Sequence, residues 1–172
     1  MALKENLLQM GSLMRWAKPE GFVYGSLYEY FAMKGAPSPA SKAAHSVRKE
    51  IWKEVASISP KIKQCFYNAQ QLALFKKGYV YFEGFVTTDI GFPIHHGWCV
   101  TDSGILVDPT LRINHNKRFT MNNCVIGEPP AGWEYHGRWF PNSAIEKMWR
   151  ETEEAGSLVD DWRNRWPLLK EA

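Results

Sequence analysis

The sequence predicts an α+β fold, and three observations carry the prediction. Apolar residues recur at helical spacing through the first third of the chain, short aromatic and β-branched runs broken by Gly and Pro fill the middle, and a capped helical pattern returns near the end. With 172 residues, 45% of them hydrophobic, the chain has the length for one well-packed core. We read a single domain over residues 1–172, divided into a helical N-terminal part at 1–57, a core at 58–140 and a helical tail at 141–172.

The charge pattern narrows the partners. A net charge of +3, with Lys and Arg interleaved with Asp and Glu, leaves no basic stripe, so no nucleic-acid partner is expected. Glu5 and Gln9 interrupt the apolar residues of the first segment, which therefore does not match a signal peptide, and no later run approaches a membrane span. The expectation is a cytoplasmic protein without membrane contact. Three cysteines, an odd number, argue for free thiols over a disulfide framework.

Taken in order, Leu3, Leu7, Met10 and Met14 predict an amphipathic helix over residues 2–17 that stops before Pro19 and Gly21. Ser26 followed by Glu29 is a capping box for a short helix ended by Gly35 and Pro37. Val47, Ile51 and Val55 form one face of a third helix that begins at Ser41 or Ser46 and ends near Ser57. The next helix carries Cys65, Ala69, Leu72 and Ala73 on one face and is closed by Gly78. Its start has two solutions. Ser59-Pro60 is a good cap and first-turn pair that would bury Cys65 in the second turn, whereas a start near Gln64 would point free amides at the sulfur.

Residues 79–87, YVYFEGFVT, are aromatic and β-branched with little polar interruption, as a central strand buried on both faces requires. Strands at 96–101 and 105–108 follow, joined by Asp102-Ser103-Gly104 with glycine at the left-handed position of a three-residue hairpin loop. Weaker strands are read at 119–126 and 133–139. Ser143 and Glu146 form a second capping box, opening a helix with Ile145, Met148 and Trp149 on its apolar face and Gly156 at its end. A last helix spans 158–165, with Trp162 and Trp166 one turn apart to pack the tail onto the domain.

The residues that could do chemistry are Cys65, His96 and Asp108. A cysteine nucleophile needs a base for its proton, and the base works best when a third group fixes its ring and stabilises its cation. The hairpin gives a geometric test. A three-residue loop pairs Thr101 with Ile105, which sets Trp98 opposite Asp108 and makes His96 and Asp108 diagonal neighbours on one face, roughly 7–8 Å apart and within side-chain reach. A two-residue loop would put Asp108 on the wrong face. With Cys65 at a helix start, the helix dipole and an adjacent imidazolium would favour the thiolate. The Cys65 backbone amide is then the donor for a developing oxyanion, with the Gln64 side chain or Trp98 as helpers.

A cysteine opening a helix, a strand with Glu83-Gly84, then His96-Gly97-Trp98, a Gly turn and Val107-Asp108-Pro109-Thr110, resembles the core of the transglutaminase-like superfamily of papain-like cysteine enzymes. The resemblance covers residues 64–110. It implies a papain/transglutaminase-like core in which the cysteine helix packs on an antiparallel sheet. It also implies acyl-transfer chemistry through a thioester, as a peptide or isopeptide hydrolase, a deamidase or a transglutaminase, on a protein or peptide substrate bearing glutamine or another amide, with no cofactor. The chain departs from the fullest motif in its short interval from Cys65 to His96 and in lacking glycine and tryptophan beside Cys65, which leaves substrate and reaction direction open.

Simpler readings compete. A lone buried cysteine is ordinarily core. His95, His96 and Cys99 do not make a metal site, because His96 and Cys99 face opposite ways on a strand and no second ligand pair follows at zinc spacing. His45, His115 and His136 read as ordinary surface or loop residues, and Asn68 reads as structural. A catalytically inactive protein-binding module on the same scaffold is the alternative to the enzyme.

Overall fold

The computed structural model describes residues 2–13, 18–111 and 120–171. Three helices come first, α1 (Leu3–Leu13), α2 (Leu27–Lys34) and α3 (His45–Ser57), with a two-residue strand β1 (Ala36–Pro37) after α2. The cysteine helix α4 (Cys65–Phe75) leads into β2 (Tyr79–Thr87), β3 (Ile94–Thr101), β4 (Leu106–Asp108), β5 (Val125–Ile126) and β6 (Glu134–Phe140), followed by α5 (Asn142–Thr152). The strands form one antiparallel sheet in the order β1-β6-β2-β3-β4-β5. The arrangement is α+β, and β2 sits near the middle with partners on both sides, as its unbroken apolar run requires.

The two faces of the sheet bury different sets. Tyr81, Phe85, Cys99 and Val107 point toward the helices and join Leu7, Phe31, Val55, Ala69, Leu72 and Ile145 in the larger core. Val86, Trp98, Val100, Leu106, Val125 and Tyr135 fill the opposite face, covered at its edges by Ala40, Leu111 and Trp133. The two faces alternate residue by residue along β2 and β3, as a pleated strand demands. The sheet also needs two glycines where β2 and β6 meet: Gly84 pairs with Gly137, and a Cβ on Gly137 would fall 2.3 Å from the Glu83 carbonyl oxygen.

The N-terminal expectations hold with adjustments. Helix α1 ends at Leu13 among the described residues, and Met14 and His115 lie outside them. Ser26 caps α2 by accepting from the Glu29 amide at 3.1 Å, and the Glu29 carboxylate answers on the Gly25 amide at 2.7 Å, one residue earlier than a strict capping box places it. Helix α3 begins after Ala44, which has no side chain to cap it, and its buried residues are Ile51 and Val55, while Val47 is exposed.

The C-terminal third departs further. Helix α5 starts after Pro141, with no side-chain cap, so the Ser143–Glu146 box is not used. It ends at Glu153 in the left-handed conformation with φ of 57°, three residues ahead of Gly156. Residues 158–165 are turns instead of a helix, because Ser157 and Asp161 side chains take the amides of Asp160 and Asn164 in local turns that compete with helical pairing. Trp166 packs beside Phe22, but Trp162 is exposed and does not pin the tail. Among the described residues between Asp108 and β6, only the two of β5 pair with β4; the expected strand at 119–126 shrinks behind a 3₁₀ turn at Met121–Asn123, and residue 119 lies outside the described residues. His136 is buried on β6 with Nε2 donating to the Phe31 carbonyl at 3.1 Å, and is no surface residue.

Candidate active site

Cys65 is the first residue of α4, with Gln64 at the cap position, so the later of the two possible starts is the one adopted. The local sequence explains why. Lys63 takes a left-handed φ of 60°, which no helix continues through, and the loop before it is pinned from the helix's own second turn. The fully buried Asn68 accepts from the Lys61 amide at 2.8 Å and donates to the Lys61 carbonyl at 2.7 Å, folding the chain back ahead of the cysteine. The same amide group donates to Thr110 Oγ1 at 2.8 Å, tying the cysteine loop to the segment just past Asp108. Asn68 is thus the structural residue it reads as in the sequence, and the first helical bond runs from its amide to the Gln64 carbonyl. The amides of Cys65, Phe66 and Tyr67 have no acceptor within the helix, and the positive end of the helix lies at the sulfur.

The hairpin has the expected register. Thr101 pairs with Ile105 around the three-residue loop, Val100 with Leu106 and Cys99 with Val107, so Trp98 falls opposite Asp108 and His96 is its diagonal neighbour. The His96 Nε2 lies 2.8 Å from Asp108 Oδ2, with both side chains sealed from solvent. Asp108 is held by further donors: Tyr135 Oη at 2.8 Å on the same oxygen, and the Thr110 and Leu111 amides at 2.8 and 3.2 Å on the other. Burial alone would raise the Asp108 pKa, but the His96 charge and these hydrogen bonds outweigh it and hold the carboxyl below its ordinary value. Burial likewise works against an imidazolium at His96; the Asp108 carboxylate prevails, the Cys65 sulfur adds to it by hydrogen bonding and charge, and the His96 pKa is pushed up to about 10.

With Nε2 committed to Asp108, Nδ1 is the His96 nitrogen left for the thiol. Cys65, His95 and His96 line one cleft of about 360 Å³, walled by Ile62, Ile94 and Leu111 and edged by Lys63 and Thr110. Cys65 is half-buried there, whereas Cys99 and Cys124 are sealed in the core and burial pushes both of their thiols up. Among the described residues no group of three or more potential ligands could hold a metal ion.

Two of the expected helpers are elsewhere. Trp98 is fully buried, stacked beside His96 with its indole Nε1 donating to Ser38 Oγ at 2.9 Å, so it braces the histidine and offers no proton to an oxyanion. Gln64 is exposed and its side chain makes no cap bond. Sequence reasoning missed Tyr135, Ser38 and the second histidine, His95, whose Nε2 lies 3.0 Å from the fully buried Glu83 carboxylate. A carboxylate in the middle of an otherwise apolar central strand was the available signal for that pair, since a buried charge requires a partner. No protein-family model matches this chain, and comparison with curated proteins and with solved structures finds no match either.

Proposed function

We propose that this protein is a cysteine-dependent acyl-transfer enzyme with a papain/transglutaminase-like core, acting on an amide of a protein or peptide. The observation that carries the reading is the convergence on one cleft of a half-buried cysteine at a helix start and a histidine whose ring is fixed by a buried aspartate at 2.8 Å. The Cys65 thiolate, paired with the His96 imidazolium, attacks the substrate carbonyl. The developing oxyanion is received by the free amides of the first turn of α4. As the C–N bond breaks, His96 passes its proton to the departing nitrogen and a thioester remains on Cys65. Water, giving hydrolysis or deamidation, or an amine, giving transfer, then releases the acyl group.

Iodoacetamide at neutral pH tests the nucleophile. Cys65 is expected to be alkylated well ahead of Cys99 and Cys124, and His96→Ala to slow that alkylation. Equal and slow labelling of all three cysteines would overturn the reading. A protein-binding module is the second reading, favoured by the exposed Trp139 and Trp162. It predicts that Cys65→Ala leaves the biological function intact while substitution of those tryptophans removes it.

A further inference from the structure

Neither Gln64 nor Trp98 serves as an oxyanion donor, but another group on the cleft has a proton to give. Thr110 lines the cleft together with Cys65, and with 6% of its surface exposed it is otherwise enclosed. Its backbone is fixed by its amide, which donates to Asp108 Oδ1 at 2.8 Å. Its hydroxyl is fixed separately, by the fully buried Asn68 on the second turn of the cysteine helix.

The direction of that second bond follows from what Asn68 must do elsewhere. The Lys61 amide can only donate, so the Asn68 atom 2.8 Å from it is the carbonyl oxygen; the Lys61 carbonyl can only accept, so the Asn68 atom 2.7 Å from it is the amide nitrogen. These two backbone groups leave no choice of flip, and the remaining hydrogen of Asn68 Nδ2 is the one that meets Thr110 Oγ1 at 2.8 Å. Thr110 Oγ1 is therefore an acceptor toward Asn68, and its own O–H turns away from it. Among the described residues nothing accepts that proton. An enclosed hydroxyl needs a receiver for its hydrogen, and the space Thr110 borders is the cleft.

Resting on the acyl-transfer reading, we propose that the Thr110 hydroxyl is an oxyanion donor, acting beside the first-turn amides of α4. As the Cys65 sulfur bonds to the substrate carbonyl carbon, the π pair moves onto oxygen, and the anion accepts from the Thr110 O–H. The intermediate collapses as the C=O bond reforms and the bond to the leaving group breaks, an amine taking its proton from His96. Thr110 keeps its own proton throughout. What it supplies is a dipole in place before the charge develops, because the bond from Asn68 occupies the acceptor side of the oxygen and holds the group against rotation. The same bond polarises the O–H and strengthens it as a donor.

Two reactions of the full chain separate this role from a structural one. Iodoacetamide alkylates Cys65 with loss of iodide and forms no oxyanion, so its rate reports the thiol and His96 alone. p-Nitrophenyl acetate reacts through a tetrahedral oxyanion, and kcat/KM for release of p-nitrophenolate contains the acylation steps only. Thr110→Val keeps the shape and removes the hydroxyl; it is expected to lower the Cys65-dependent kcat/KM by about tenfold or more while iodoacetamide labelling stays at the wild-type rate, and Thr110→Ser should restore the ester reaction. An unchanged kcat/KM in Thr110→Val, or an equal fall in both reactions, overturns the oxyanion donor and leaves the acyl-transfer reading standing. Wild-type release of p-nitrophenolate that is no faster than in Cys65→Ala overturns both. Should Thr110→Val fail to fold for want of an acceptor for Asn68, Thr110→Ala leaves room for a water there and is held to the same outcomes.

Discussion

His96 and Asp108 lie on a diagonal across one hairpin and meet at 2.8 Å, with the Tyr135 hydroxyl on the same carboxylate oxygen at the same distance. Every donor around Asp108 is therefore arranged for an anion. Asp108→Asn keeps the shape and removes the charge, leaving His96 without the partner that holds its imidazolium. Breaking one side of a buried pair costs about 3–5 kcal/mol. The expected outcome is a loss of that order in urea unfolding, with slower iodoacetamide labelling of Cys65. Wild-type labelling in a destabilised Asp108→Asn chain would separate the fold's need for the pair from the chemistry's.

The same pair sets the pH dependence. The folded His96 pKa is raised, to about 10, above an unfolded value of about 6.5, so its contribution to stability is complete below about pH 6.5 and is lost as pH rises through 10. The folded Asp108 pKa is lowered from an unfolded value of about 3.9, so its contribution is complete above that value and is lost as pH falls through the folded pKa. Unfolding free energy from urea titrations should therefore decline between about pH 6.5 and 10 and again below about pH 4. In His96→Gln the alkaline decline should flatten. An alkaline slope identical in that variant would assign it to other groups.

The hairpin was legible because it is local. A glycine in a three-residue loop and period-two alternation are enough to put His96 and Asp108 on one face, and no distant residue has to cooperate. The start of the cysteine helix was not, since Ser59-Pro60 carries a proper cap signal and loses to the left-handed Lys63 and to Asn68, which holds Lys61 in a loop. Tyr135 and Ser38 come from segments far along the chain, and reaching the site depends on the strand order, which a single sequence does not reveal. The tail misled for the opposite reason. Trp162 and Trp166 have helical spacing, but local Ser157 and Asp161 turns outcompete the helix.

The glycine pair between β2 and β6 gives a test of the sheet apart from any chemistry. A Cβ at position 137 meets the Glu83 carbonyl oxygen at 2.3 Å and the Trp98 ring at 2.6 Å, and backbone in a paired strand has little room to yield. Overpacking of this kind costs about 1–3 kcal/mol and occasionally more. Gly137→Ala should therefore lower the midpoint of urea unfolding, and it should also displace Trp98, which braces His96. Gly132→Ala is the control: that glycine has φ of 81° but open space around it, so its cost is conformational alone and leaves Cys65 labelling unaffected.

Glu83 joins the sheet to the tail, and its removal should release the tail first. Its carboxylate is the acceptor for the Ser157 hydroxyl and for the Leu158 and Val159 amides, while neighbouring Gln70 donates to the Gly156 carbonyl at 2.6 Å and accepts from Trp149 Nε1 at 2.8 Å. These bonds hold a stretch with no regular structure against β2 and α4, and Glu83 supplies all of those that reach Ser157, Leu158 and Val159 from the sheet. In Glu83→Ala the Leu158 amide, the Ser157 hydroxyl, the Tyr81 phenol and the His95 ring lose an acceptor, while the Val159 amide keeps Ser157 Oγ at 3.1 Å, and each buried donor left unsatisfied costs about 1–3 kcal/mol. Opening the tail to water relieves most of that at the expense of Val159, which is fully buried in the core. Limited proteolysis should accordingly cut Glu83→Ala between residues 153 and 160 under conditions where the wild type stays whole, and amide exchange at Leu158 and Val159 should accelerate ahead of exchange in β2 and β3. Uniform acceleration across the sheet would mean that the carboxylate supports the whole fold instead of fastening its end.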